Sequence, residues 1–391
     1  MIIMKQDWFL SKSALFLPLI LYIFINGLFV IKYGVALQWV NSFVLFSIYL
    51  VLILAVLFFF EKSKLQENFF KYAFWFIVPS FFIFILFLTQ YVKLESLNVD
   101  RLDALDSGIK AVLNGDYPYD MVNRLGNESS NLPVLIIIGI PFYLLFGSAV
   151  YLQSFCFLLF SYLIFKYLNT YRLRVLALVL LILSPGYIYE LYVKSDLMSN
   201  FILAVGFIIL IWTYFIKSSV IKLPNVALLS GLLLLTRIPV IFPLAVLLFR
   251  KFTSLGIRSK IIFTVVFLAT ILVILGFFMM MAPNLQIILD HNPFLLQSKQ
   301  PVYLSLLLIG AAAICSFKTK ALNDIMLLSS VLLFSSVLIA FILAILKNGF
   351  RNTFFESYFD ISHFNMAIPF IILSLTSGIY FKRKISTKID A

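Results

Sequence analysis

The sequence predicts an all-α, polytopic transmembrane protein, and three observations lead to that fold class. Of the 391 residues, 63% are apolar and only 12% are charged, against roughly 25% charged in a soluble domain. Apolar runs recur along the whole chain, and the apolar content allows about twelve spans of about 20 residues each. The two cysteines lie inside apolar runs. This composition excludes a soluble globule, a disordered chain and a secreted disulfide scaffold.

The apolar runs define the predicted spans. They lie at 15–30, 41–60, 72–92, 148–168, 174–193, 198–216, 224–249, 260–281, 301–317, 325–346 and 363–381. The run 224–249 is interrupted by Arg237 and Pro239, so it is predicted to form two short helices. The stretch 132–146 holds two prolines and is predicted to be a short or re-entrant helix. We predict one transmembrane domain over 1–391, with an additional N-terminal helix pair over 1–70.

The distribution of charge predicts the orientation in the membrane. The segments assigned to the cytoplasmic side hold 20 of the 30 Lys and Arg residues but only 5 of the 17 acids. Because basic residues favour cytoplasmic loops, both termini are predicted to be cytoplasmic, in a multi-pass protein of the cell (plasma or inner) membrane. This bias is sufficient to explain the formal net charge of +13. The predicted partners are therefore membrane lipids, and no nucleic acid is predicted to bind.

One predicted outer loop, 93–131, breaks the charge pattern because it holds seven of the 17 acids. Within it, Leu102, Leu105 and Ile109 recur at three- and four-residue spacing. This spacing predicts a short amphipathic helix over 100–113 that lies flat on the membrane surface.

The end of this helix and its first acid leave two interpretations open. Gly115 suits the left-handed position after a helix, and Pro118 cannot continue one. The loop is then either an interfacial helix with solvated carboxylates or an active-site loop that holds Asp100 where water meets lipid.

The order of residues in the loop favours the second interpretation. The string VDRLDALDSGIKAVLNGDYPYD resembles the first outer loop of the C-type (GT-C) membrane glycosyltransferases, especially the polyprenol-phosphate-mannose-dependent group. Asp100, Gly115, Pro118 and Tyr119 match that group's pattern. A stretch from Pro133 to "FG" follows, as it does in the family.

Later segments extend the resemblance over most of residues 93–381. ELYVKSDLMSN resembles the family's acid-bearing outer loop, with Asp196 at the acid. LTRIPVIFP resembles its interrupted helix pair around Arg237. FDISHFNMAIPF resembles its closing segment, with Asp360 and His363. The chain departs from the family in having three predicted spans before the loop, where the family core has one.

The resemblance implies an enzyme, a hexosyltransferase with a GT-C-like fold. It would move a sugar, mannose in the group named, from a polyprenyl-phosphate donor to a glycan or lipid acceptor at the extracytoplasmic face. Transfer would invert the anomeric carbon in a single displacement, which needs one carboxylate base and stabilisation of the leaving phosphate.

Asp100 is predicted to be the base because it lies 15 residues before Gly115, the spacing that the family's key Asp shows. The alternative is a helix N-cap. Asp103, one turn later, could substitute for it or bind a metal with it. Two carboxylates alone do not predict a metal site, so a divalent cation is left open and no other cofactor is predicted.

The other candidate residues are predicted to bind substrate, and each has an ordinary structural alternative. Arg237 suits the phosphate, or it is a snorkelling or ion-paired arginine. Asp196 suits the acceptor, or it is a solvated loop acid. His363 suits phosphate or sugar, or it is an interfacial residue. Tyr117 and Tyr119 suit sugar stacking, or they belong to an aromatic belt. Lys299 and Arg351 are less supported cations for the phosphate.

Two other classes of protein compete with the transferase. A lipid-linked-sugar flippase or transporter would need polar groups at several mid-span positions and often shows repeats, whereas the spans here are apolar and no repeat is visible. A polysaccharide polymerase or ligase would centre on Arg- and His-rich loops late in the chain, whereas the richest loop here is early and acidic.

Overall fold

The computed structural model describes residues 8–36, 39–297 and 301–389, and the regular structure of this part of the chain is helical. The helices are α1 (Trp8–Gly34), α2 (Ser42–Lys62), α3 (Glu67–Tyr91), α4 (Arg101–Asn114), α5 (Pro133–Phe146), α6 (Tyr151–Tyr167), α7 (Tyr171–Ile182), α8 (Pro185–Tyr192), α9 (Leu197–Ile211), α10 (Leu223–Leu234), α11 (Ile241–Thr253), α12 (Ile257–Met279), α13 (Leu285–Asp290), α14 (Pro293–Gln297), α15 (Val302–Ser316), α16 (Leu322–Asn348), α17 (Phe350–Phe354) and α18 (Ile368–Ile389). The all-α prediction is confirmed.

Many of these helices are long and apolar enough to cross a membrane. Among the described residues seven helical segments pass this test, and the number is ten if each of three bent helix pairs is one span. The bent pairs are α5 with α6, α7 with α8, and α13–α14 with α15, at 110°, 59° and 53°. The chain is therefore a multi-pass helical membrane protein, while the prediction of about twelve spans is not confirmed.

Proline marks the places where apolar runs break. The run 174–193, predicted as one span, is divided into α7 and α8 at Ser184, and Pro185 begins the second helix. The predicted interruption around Arg237 is confirmed, because α10 ends three residues before it and α11 begins four residues after it. The stretch 132–146 forms the separate short helix α5, as predicted.

The helices group into two compact units. The first unit comprises Met1–Phe81, Phe160–Tyr189 and Lys318–Ala391. There α18 packs against α1, α7 and α16, and the segment Ile361–Ile379 is 94% buried within the protein. The core of this unit is therefore built around its last helix. Helices α1 and α2 pack on each other in this unit. The additional N-terminal helix pair over 1–70 and the single transmembrane domain over 1–391 stay predictions.

The second unit comprises Phe82–Leu159 and Glu190–Phe317. In it α10 packs on α12, α11 on α15, and α4 on α5. Helix α12 has only 6% of its apolar segment buried within the protein. Apart from those on the face that packs on α10, its side chains therefore point outward, as suits a helix that borders lipid.

Close packing on α5 sets the position of α4. Leu102, Leu105 and Ile109 are buried, and a Cβ at Gly139 would lie 2.6 Å from Cδ1 of Ile109. Glycine at that position lets the two helices approach. The predicted short helix is confirmed, and Gly115 ends it with φ 82°, but its apolar face is covered by protein and does not lie open to the membrane.

Candidate functional site

Asp100 lies at the start of α4, and a turn later in the loop holds one of its carboxylate oxygens. Oδ2 accepts hydrogen bonds from Nδ2 of Asn123 at 3.0 Å and from Nδ2 of Asn127 at 2.7 Å. Oδ1 accepts none from the described residues, and the side chain caps no backbone N–H of α4. The carboxylate therefore has one fixed oxygen and one available oxygen. Asp100 is the N-cap residue of α4, as the alternative predicted, but its side chain makes no capping hydrogen bond.

The turn over residues 122–128 orients the two amide groups that bind Asp100. Oδ1 of Asn123 accepts hydrogen bonds from the backbone N–H groups of Leu125 and Asn127, at 2.9 and 3.1 Å. The backbone N–H of Asn123 also donates to the carbonyl of Asn127 at 2.9 Å. Gly126 takes φ 79°, a conformation that favours glycine. Because both ends of the turn are fixed, it presents two N–H donors to a single carboxylate oxygen.

Asp103 has different partners. Its Oδ2 accepts a hydrogen bond from the backbone N–H of Arg124 at 2.5 Å and lies 4.0 Å from Nε of the same arginine. Arg124 also donates to the carbonyl of Leu97 at 2.8 Å. Asp103 thus fastens the loop to α4. The described residues contain no group of three or more His, Cys, Asp or Glu positioned for a metal, so the structure offers no prearranged ligand set around Asp100 and Asp103.

Asp106 is a third carboxylate on α4, and it is half-buried with both oxygens hydrogen-bonded to protein. Its oxygens accept hydrogen bonds from the Ser148 hydroxyl and from the backbone N–H of Ala149, both at 2.7 Å. Burial raises the pKa of Asp106 above its ordinary value, while these two hydrogen bonds oppose the change. The interpretation of the loop as an interfacial helix with solvated acids is therefore wrong for this residue.

Asp196 and Arg237 form a buried ion pair. Nη2 of Arg237 lies 2.5 Å from Oδ2 of Asp196, and the side chains are 9% and 5% exposed. The same Nη2 donates to Oδ1 of Asn131 at 3.2 Å. The ion-paired alternative for Arg237 is therefore observed, and the alternative of a solvated loop acid is wrong for Asp196. Oδ1 of Asp196 and Nε of Arg237 have no hydrogen-bond partner among the described residues.

Arg101, the residue after Asp100, contacts the segment that holds Asp196. Arg101 donates from Nη1 to the Ser195 hydroxyl at 2.9 Å and lies 3.9 Å from Oε1 of Glu190. Ser195 directly precedes Asp196, and Glu190 is only 1% exposed. The second unit thus brings together Asp100, a second carboxylate–arginine pair and the Asp196–Arg237 pair.

The two candidate tyrosines belong to the packed interior of the same unit. Tyr117 and Tyr119 are buried, and their rings pack edge to face with centroids 5.2 Å apart. Tyr119 also packs against Phe278 at 6.4 Å, and the Tyr117 hydroxyl donates to the carbonyl of His291 at 3.3 Å. Sugar stacking would require a ring to leave this packing, so that role stays a prediction.

His363 belongs to the first unit, whereas Asp100 belongs to the second. Its Nδ1 lies 2.9 Å from the carbonyl oxygen and 3.9 Å from Oδ2 of Asp360. Asp360 accepts a hydrogen bond from the backbone N–H of Ser362 at 2.9 Å, which begins the 3₁₀ turn before α18. A substrate role for His363 stays a prediction, and Lys299 lies outside the described residues.

Sequence reasoning missed four groups of this site: Arg101, Asn123, Asn127 and Glu190.

Comparison of the chain with protein-family models, with curated proteins and with solved structures finds no match.

Proposed function

We propose that the chain is a GT-C-type membrane glycosyltransferase with Asp100 as the general base. It moves a sugar, with mannose the one that the resemblance implies, from a polyprenyl-phosphate donor to a glycan or lipid acceptor, with inversion. The active site lies at the extracytoplasmic face of the cell membrane, both termini are cytoplasmic, and the core contains about twelve spans.

The observation that carries the proposal is the arrangement of the Asp100 carboxylate. A general base needs a fixed orientation and a free lone pair within reach of the acceptor hydroxyl. Asn123 and Asn127 bind Oδ2 and leave Oδ1 for the substrate. In the proposed step Oδ1 takes the hydroxyl proton, the acceptor oxygen bonds to the anomeric carbon, and the bond from that carbon to the phosphate oxygen breaks. The polyprenyl phosphate leaves as an anion.

Asp100→Asn tests this step while keeping the turn intact. The amide oxygen can accept the hydrogen bonds that Oδ2 accepts now, but the amide nitrogen cannot take a proton. We expect transfer to fall about 10²- to 10⁴-fold, measured with labelled polyprenyl-phosphate sugars and purified protein, with no loss of thermal stability.

Asp116→Asn is the matched control, because Asp116 is an exposed acid of the same loop. We expect it to keep full activity. Wild-type transfer rates in Asp100→Asn would remove the mechanism.

A lipid-linked-sugar flippase is the second candidate, because the second unit holds two carboxylate–arginine pairs whose acids are buried and ionisable groups within membrane proteins mark transport paths. Proteoliposomes loaded with a labelled polyprenyl-phosphate sugar separate the two candidates. Translocation without transfer supports the flippase, and transfer without translocation supports the enzyme. Consumption of a pyrophosphate-linked oligosaccharide would point to the polymerase or ligase alternative.

A further inference from the structure

The cations of the second unit differ in whether their charge is already neutralised. Arg101, Arg124 and Arg237 lie 3.9, 4.0 and 2.5 Å from carboxylate oxygens of Glu190, Asp103 and Asp196 respectively. A cation that already has a buried carboxylate partner gains less from a further anion, because the partner competes for it. This applies most strongly to Arg237, which sequence analysis assigned to the phosphate.

Lys194 differs from Arg237, the other buried cation of the second unit among the described residues, because it has no such partner. It is only 8% exposed, yet no carboxylate of a described residue lies within 4.0 Å of its Nζ and no described group forms a hydrogen bond with it. The buried side-chain atoms that lack a hydrogen-bond partner do not include Nζ of Lys194. The stem of the side chain is therefore buried while the charged end retains accessible surface.

The backbone around Lys194 is fixed. Its φ is 57°, at a position after α8 where glycine is usual. The backbone N–H of Ser195 donates to the carbonyl of Glu190 at 2.9 Å, and that of Lys194 to Leu191 at 3.4 Å. Gln153 also donates to the carbonyl of Glu190, at 2.9 Å. These bonds fix the backbone at Lys194. The next residue, Ser195, contacts Arg101, and Asp196 follows it.

We infer that Lys194, and not Arg237, binds the phosphate of the lipid donor, and that the site selects a phosphodiester with a single negative charge. The inference rests on the proposed function for the identity of the lipid. One unneutralised ammonium matches one negative charge. A pyrophosphate carries at least two, and the described part of the second unit offers no second buried, unpaired cation for the extra charge.

The neighbouring acids also disfavour a more highly charged ligand. Glu95 and Asp106 interact electrostatically with Lys194 and raise its pKa, while burial, the larger effect, lowers it. Both carboxylates lie beyond ion-pair distance of Nζ in the structure, and the oxygens of Asp106 already bind Ser148 and Ala149. They therefore leave the ammonium available but repel additional negative charge.

Binding of defined lipids to the full-length protein in nanodiscs tests the inference. The probes are a polyprenyl-phosphate mannose, the polyprenyl pyrophosphate of equal chain length, the free polyprenol and inorganic phosphate. We expect wild-type protein to bind the phosphodiester at least about tenfold more tightly than the polyprenol and more tightly than the pyrophosphate. Equal or tighter binding of the pyrophosphate would overturn the selectivity, and saturation by inorganic phosphate alone would overturn the assignment to a lipid.

Lys194→Met removes the charge and keeps most of the buried stem, so we expect phosphodiester affinity to fall about tenfold or more while polyprenol affinity is unchanged. Lys194→Arg is expected to stay within about threefold of wild type because a cation remains. The matched control is Lys110→Met, which removes an exposed lysine of α4 and should change nothing. Unchanged phosphodiester binding in Lys194→Met would overturn the inference.

Two further measurements keep the test decisive. If Lys194→Met does not fold, the wild type still reports on the lysine, because phosphodiester affinity must fall as the pH rises through its lowered pKa; an affinity independent of pH up to 10.5, the ordinary lysine value, would contradict the assignment. Turnover is measured separately. Lys194-dependent binding without transfer would sink the proposed function alone, and transfer unaffected by Lys194→Met would sink this inference alone.

Discussion

The two units each contain a broken apolar run, and the two breaks are stabilised by different chemistry. In the first unit, the break at Ser184 is held by neutral groups: Oδ1 of Asn26 accepts hydrogen bonds from the Ser184 hydroxyl at 2.6 Å and from the backbone N–H of Gly186 at 3.2 Å. Asn365 donates to the carbonyl of Gly186 at 3.1 Å. In the second unit, the break at Arg237 contains a buried ion pair.

The comparison teaches that a helix break inside a membrane protein does not need charge. Backbone groups freed at a break must find partners, and amides and hydroxyls satisfy them in the first unit. In the second unit neutral groups do the same work, since Gln297 accepts a hydrogen bond from the backbone N–H of Ile238 at 3.0 Å. The Asp196–Arg237 pair is therefore additional to what the backbone requires, which is the reason to look for function beside it.

Removing one charge at the second break should have the largest effect on stability. Arg237→Met leaves the carboxylate of Asp196 buried and unpaired, so we expect the free energy of unfolding to fall by about 3–5 kcal/mol. Denaturant or thermal unfolding in detergent measures it. The double variant Asp196→Asn with Arg237→Gln should recover most of this loss because no charge remains, and a single variant as stable as wild type would show that the pair is solvated.

Removing the neutral anchor of the first break should cost less. Asn26→Ala leaves the Ser184 hydroxyl and the Gly186 N–H without an acceptor in a buried place, and we expect a loss of about 1–3 kcal/mol in the same unfolding assay. Transfer by the folded fraction should match wild type, since Asn26 supports structure only. A change in turnover with no change in stability would break the comparison.

The smallest effect concerns Asp106, a carboxylate of the second unit that accepts hydrogen bonds from Ser148 and Ala149. Because its folded-state pKa is raised above 3.8, the folded protein holds a proton that the unfolded chain releases. Its contribution to stability is fully present below 3.8 and is lost as the pH rises through the raised value, at no more than about 1.4 kcal/mol for each pH unit. Asp106→Asn should remove this dependence, and an unaltered pH profile of unfolding would contradict the assignment.

Local signals predicted several elements correctly. The three- and four-residue spacing of leucines gave α4, Gly115 gave its end, and Arg237 with Pro239 gave the break between α10 and α11. Pro185 is the same kind of signal for the break before α8, but the apolar run 174–193 is long enough for one span and was predicted as one. These features depend on residues close in sequence, so periodicity and backbone preference are sufficient to find them.

The site depended on contacts that no local pattern contains. Asp196 and Arg237 are 41 residues apart, and Arg101 reaches Ser195 across 94 residues, so only the packed helices bring them together. In the sequence, Asn127 is part of a glycosylation sequon, Asn127-Glu128-Ser129, and this motif does not indicate a contact with Asp100. Its role appears only when the turn places its amide against Asp100.

The large exposed apolar surface of α12 has a practical consequence for purification of the protein. A helix of 23 residues is about 35 Å long, and the sides that do not pack on α10 need an apolar covering. A micelle made from a short-chain surfactant is thinner than that and would leave rows of leucine and phenylalanine in contact with water. Extraction should therefore succeed with long-chain maltosides or with native bilayer patches, and aggregation should begin at this helix when the hydrocarbon layer is too thin.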